Sequence, residues 1–124
     1  MREYANVIIA IDEAEMQNIV VSYIGSDERH KNKFLDMVNV IRENLNNRNL
    51  FKREKINDQI NNVWAMRFFV GAENDRIYCQ QTNFNGKKAF VLSSLLLHKE
   101  TTENGPREIA EITKVSSYEY VYKQ

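Results

Sequence analysis

Arg67, Arg76, Tyr78, His98 and Lys99 fall inside or at the end of three apolar runs, VWAMRFF, RIYCQQ and AFVLSSLLLHK, between Val63 and Lys99. A charge inside such a run is costly unless its head reaches water or an anion. Guanidinium is always charged and can hold two phosphate oxygens at once, which suits Arg67 and Arg76 to an anion. Imidazole gains and loses its proton near neutral pH, so His98 is the candidate acid or base, and Lys99 adds a further cation. Tyr78 lies two residues from Arg76 and therefore on the same side of a strand. The set is a group of cations poised for a polyanion.

A sheet has to position them. Each run has strand length and composition, and the short connections suit antiparallel neighbours. In the first run Trp64, Met66 and Phe68 alternate with Val63, Ala65, Arg67 and Phe69; in the second Arg76, Tyr78 and Gln80 alternate with Ile77, Cys79 and Gln81. Asn85-Gly86 favours a tight hairpin into the third strand, Phe90 to His98, which is apolar enough to sit centrally. Parity along that strand places His98 with Leu92, Ser94 and Leu96, and Lys99 on the other face.

Upstream, the β-branched stretch Tyr4 to Ile11 predicts a first strand. Asp12 reads as a helix N-cap, with Glu15 completing a capping box and Ile11 and Met16 a hydrophobic staple. That helix ends near Ile24, where Gly25 stops it. Ser26 or Asp27 caps a second helix whose apolar stripe is Phe34, Leu35, Val38, Ile41 and Leu45, ended by the asparagines of NLNNRN. Pro106 opens a third helix, with Glu108 near its positive end and a stripe of Ile109, Ile112 and Val115. The tail with Tyr118, Tyr120 and Tyr122 fits either helix or strand. Phe51 to Asn62 is polar, a short strand or an irregular approach. Arg48, Lys52, Arg53 and Lys55 make it the densest positive patch, either a solvated loop or a phosphate-contacting one.

Hydrophobic residues make up 43% and charged residues 27% of the 124, enough for a packed core in one domain spanning 1–124. Seventeen basic and seventeen acidic side chains cancel, so any polyanion must be met by a local cluster rather than a global field. Cys79 is the lone cysteine; no internal disulfide can form and no zinc spacing is present. The apolar core of MREYANVIIAIDEAE is too short for a signal peptide or membrane span, so a cytoplasmic setting with no membrane partner is expected. With no Gly-rich phosphate loop, metal spacing or nucleophile motif, neither cofactor nor metal is expected.

The order Trp64-Ala65-Met66-Arg67-Phe68, Asp75-Arg76-Ile77-Tyr78-Cys79, a hydrophobic strand, His98-Lys99-Glu100-Thr101 and Pro106-Arg107-Glu108-Ile109-Ala110 resembles the RelE/HigB superfamily of bacterial toxins, nearest its phage-derived toxin-like branch. The likeness runs from Lys55 to about Ser117. It implies an α+β fold in which an N-terminal strand and a helical hairpin pack on a small, mostly antiparallel twisted sheet, with a C-terminal helix. It also implies a metal-independent endoribonuclease acting on mRNA in the ribosomal A site, neutralised by a co-encoded antitoxin with a helix-turn-helix. Arg67 matches the family's first strand arginine, Arg76 its second, and Lys99 the first lysine of a K-K motif. The sequence departs from the pattern at Glu100, where a second lysine is usual, at Asp75, where an aromatic is usual, and in lacking a lysine between Thr101 and Pro106.

RNA cleavage by the neighbouring 2′-hydroxyl needs a base for that hydroxyl, charge stabilisation at the phosphorane and a proton for the 5′-oxygen. Arg67, Arg76 and Lys99 suit the second task and His98 the proton transfers. Tyr78 could stack on a base or donate to phosphate. Arg53 and Lys55 are the candidates for holding the substrate backbone. Each has a plainer alternative: Arg67 paired with a helix carboxylate, Arg76 with Asp75 or Glu73, His98 at the surface. A toxin-like fold that binds a protein partner without chemistry is the alternative function.

Overall fold

Strands predicted from alternation pair into one twisted sheet, and the helices divide between its two faces. The computed structural model describes residues 7–12, 17–43, 46–99 and 104–121. Its elements are β1 (Val7–Ile11), α1 (Gln17–Ile24), α2 (Glu28–Arg42), β2 (Phe51–Glu54), β3 (Val63–Phe68), β4 (Asp75–Phe84), β5 (Lys87–Leu96) and α3 (Pro106–Ser116). The strand order is β1-β5-β4-β3-β2, antiparallel throughout except for the parallel β1–β5 pair. This is a mixed α+β architecture of N-terminal strand, helical hairpin, sheet and C-terminal helix.

Local chemistry sets the element ends. The Gly25 N–H closes α1 on the Val21 carbonyl at 3.0 Å, and Asp27 caps α2 by accepting the His30 N–H at 2.8 Å. Asn85 and Gly86, with φ of 52° and 77°, make the two-residue turn between β4 and β5. Glu108 closes the start of α3 by accepting the Gly105 N–H at 3.1 Å. The Asp12 cap with Glu15 and Met16, the Tyr4 end of β1, and Leu45, Glu100 and Tyr122 involve positions outside the described residues.

Val20, Met37, Val40 and Ile41 of the helical hairpin bury one face of the sheet, through Met66, Phe68, Ile77, Cys79, Phe90 and Leu92. Ile112 and Val115 of α3 cover the other, through Val63, Ala65, Tyr78 and Leu96. Each such side chain contributes roughly 1.5–3 kcal/mol when fully buried.

Four expectations are corrected. The stripe of α2 centres on Met37, Val40 and Ile41, while Leu35 is 57% exposed, because two helical residues turn it about 200° from Met37. In α3, Ile109 faces outward and Glu108 joins Ile112 and Val115 inside. Phe69 leaves its strand side: a φ of 55° swings it onto the hairpin core beside His30. Finally, β5 stops at Leu96, and its register slips opposite Tyr78/Cys79, so that Ser94 pairs Tyr78 and Leu92 pairs Cys79. That bulge breaks the parity of Leu92 with Ser94 and Leu96.

Candidate active site

Arg67 and Arg76 are directly opposite in the β3–β4 register, and Ala65 and Tyr78 form the next same-face pair. All four therefore lie on the face under α3. Neither arginine forms an ion pair among the described residues. Arg67 Nη1 donates to the Arg48 carbonyl at 2.7 Å, and Arg76 Nη1 to the Asp75 carbonyl at 3.0 Å. Among the described residues, then, Arg67 has no helix carboxylate as partner and Arg76 is not paired with Asp75 or Glu73. Asp75 is occupied otherwise, accepting the Tyr23 hydroxyl at 2.6 Å and the His98 N–H at 2.9 Å, and Glu73 pairs Arg29 at 2.6 Å.

After β5 the chain turns sharply. His98 has a φ of 54° and an exposed side chain, whereas Lys99 is 5% exposed and shares the field of Arg76, Glu54, Glu108 and Arg67. Asn74 fixes this turn from both sides: its carbonyl accepts the Lys99 N–H at 3.0 Å and its side-chain amide donates to the Lys99 carbonyl. The expected parity is reversed, because β5 ends at Leu96 and the left-handed His98 turns the chain. Lys99 joins the arginines and His98 does not.

Two carboxylates complete the cluster. Glu54, at an inward position of β2, is 5% exposed and accepts from Asn104 Nδ2 at 3.0 Å. Glu108 is 6% exposed at the start of α3. Glu54 does not stand out in the sequence, because FKRE is too short and polar to announce which side chain turns inward. The usable signal for Glu108 was its capping position just after Pro106.

Burial shapes the electrostatics. It lowers the Arg76 pKa, with the Arg67 charge acting in the same direction, and it lowers that of Lys99, with Arg76 adding to the effect. Tyr78 is pushed well above the usual phenol value, first by burial and then by Glu54, so its hydroxyl stays a hydrogen-bond donor. Arg76 Nε, the Tyr78 hydroxyl, Ser94 Oγ and Asn104 Oδ1 are buried with no hydrogen-bond partner among the described residues. Native proteins leave few buried polar atoms unmatched, and a group of them in one cluster marks a place built to receive polar atoms.

No family model, curated protein or solved structure matches this chain. Its chemistry is therefore read from geometry. Among the described residues no group of three or more His, Cys, Asp or Glu could hold a metal, and no helix is long and apolar enough to cross a membrane. Of the other candidates, Arg53 lies on the opposite face of β2, over Trp64, and Lys55 is exposed just past that strand.

Proposed function

We propose that this chain is a ribosome-dependent, metal-independent mRNA endoribonuclease, the toxin of a toxin–antitoxin pair of RelE/HigB type. The observation that carries the reading is the convergence of Arg67, Arg76, Tyr78 and Lys99, with Glu54 and Glu108, between the sheet and α3. The motif order and the layout of strand, helical hairpin, sheet and C-terminal helix support the same assignment.

In this reading Glu54 takes the proton from the 2′-hydroxyl, whose oxygen attacks phosphorus. Arg67 and Arg76 hold the non-bridging oxygens as negative charge builds, and the Tyr78 hydroxyl donates to one of them. The bond to the 5′-oxygen breaks, and the Lys99 ammonium, made more acidic by burial, supplies the proton. The products are a 2′,3′-cyclic phosphate and a 5′-hydroxyl.

A protein-binding module without chemistry is the second reading. The burial of Arg76 and Lys99, 1% and 5% exposed, favours it because a cation shut from solvent contacts phosphate only after the cover opens. Expression separates the two. The nuclease arrests growth, a co-encoded partner rescues it, and Arg76→Ala abolishes arrest with the fold intact. Harmless wild-type protein at full expression contradicts the enzymatic reading.

A further inference from the structure

β2 carries a second feature at the sheet margin, away from the α3 face. Arg48, Lys52, Arg53, Phe51, Trp64 and Asn46 line an open cleft of about 450 Å³. That lies within the roughly 300–1,000 Å³ of small-molecule sites and leaves room for a nucleotide. No carboxylate lines it, since Glu54 is turned to the other face of the strand. Arg48 and Arg53 thus share one concave surface in a chain whose formal charge is zero, whereas Lys52, two residues from Glu54 in β2, has the parity of that carboxylate.

One wall is built and held. Phe51 stacks on Trp64 at 4.8 Å with 14° between the rings. The Arg53 guanidinium lies over the Trp64 ring at 5.1 Å, and its Nη2 donates to Gln81 Oε1 at 3.2 Å. Gln81 Oε1 also accepts the Trp64 indole N–H at 2.7 Å. An exposed guanidinium fixed over an aromatic pair presents its outer surface for stacking, the arrangement that receives an unpaired base. The cleft is also tied to the candidate active site, because the Arg48 carbonyl holds Arg67.

We infer that this cleft binds one nucleotide of single-stranded RNA, the base against the Arg53–Trp64–Phe51 wall and the phosphate at Arg48. The inference concerns binding alone, and it rests on the RNA-cleaving reading only for the identity of the polymer. It gives that reading a subsite that grips the strand at the sheet margin, on the other face from the reacting phosphate.

Trp64 is the chain's single tryptophan, so its fluorescence reports on the cleft directly. Titration with a short oligouridylate should change Trp64 emission saturably, with log affinity falling against log salt with a slope of about −0.7 for one neutralised phosphate. Arg53→Ala should weaken binding about tenfold or more, and Arg48→Gln should reduce the salt slope. Lys114→Gln, at an exposed position of α3 outside both the cleft and the candidate active site, should leave the oligouridylate titration unchanged within about twofold. No saturable change, a response indifferent to salt and to Arg53→Ala, or an equal response to inorganic phosphate alone would overturn the inference. Loss of the fluorescence response with mRNA cleavage intact removes the cleft and leaves the nuclease; binding without cleavage does the reverse.

Discussion

Arg67 and Arg76 stand face to face across the β3–β4 ladder, two guanidiniums in directly opposed positions beneath α3. Like charges so placed destabilise an antiparallel pair, by roughly 0.2–1 kcal/mol at ordinary sites. Arg76 is also 1% exposed, with its Nε unmatched among the described residues. Packing alone would not select this arrangement. The proposed function accounts for it through a phosphate held between the two arginines.

Arg76→Met should therefore stabilise the fold while removing function. Replacing a buried, like-charge-opposed guanidinium with an apolar chain of similar length is expected to add about 1–2 kcal/mol. Urea unfolding followed by circular dichroism checks it, as a higher midpoint with an unchanged slope. A lower midpoint would mean that Arg76 is a structural anchor.

Tyr78→Phe makes a similar test from a neutral group. Its hydroxyl is buried without a partner, so deletion should change stability by less than about 1 kcal/mol while slowing cleavage about tenfold or more. A loss of several kcal/mol would place the hydroxyl in the structural framework instead.

Alkaline titration reads the buried tyrosines together. Tyr23, Tyr78 and Tyr120 are each raised above their ordinary 10.0, chiefly by burial. Below that pH folded and unfolded chains hold these protons alike; above it the unfolded chain releases them first, so stability falls as pH rises. Lys99 acts oppositely, because it is lowered from 10.5 and the unfolded chain holds its proton longer, so its contribution grows with pH up to that value. Three tyrosines against one lysine predict a net loss of stability above pH 10.0, with phenolate absorbance for these three appearing only on unfolding.

Asp75→Ala should cost about 2–3 kcal/mol. Its carboxylate accepts both the Tyr23 hydroxyl and the His98 N–H, tying α1 to the turn that sends Lys99 inward. Thermal melts check the cost. Proteolysis near Lys99 should accelerate in the same variant, and an unchanged melt would show that the turn holds without Asp75.

The parts of this fold that could be read from residues are those set by local chemistry. Gly25 ends α1, Asp27 caps α2, Pro106 opens α3 and Asn85-Gly86 turns β4 into β5, each through backbone geometry within a few residues. Alternation alone put Arg76 and Tyr78 on one face, and the β3–β4 register adds Arg67 to it. What stayed hidden depends on the sheet as a whole. The inward turn of Glu54 follows from β2 pairing with β3, and Lys99 enters the cluster through the left-handed His98. The slip opposite Tyr78/Cys79 is a property of two strands, which no single-strand pattern reveals.

Under the proposed function, this buried cluster of cations and carboxylates cuts mRNA by 2′-hydroxyl attack. The most direct measurement maps mRNA ends on programmed ribosomes incubated with wild-type protein and with Glu54→Gln, which keeps the hydrogen bond to Asn104 but cannot accept the proton. The account predicts cuts in the A-site codon leaving 2′,3′-cyclic phosphate ends, slowed about 10²–10⁴-fold by the substitution. Intact mRNA with folded wild-type protein, or equal cutting by both proteins, would contradict it.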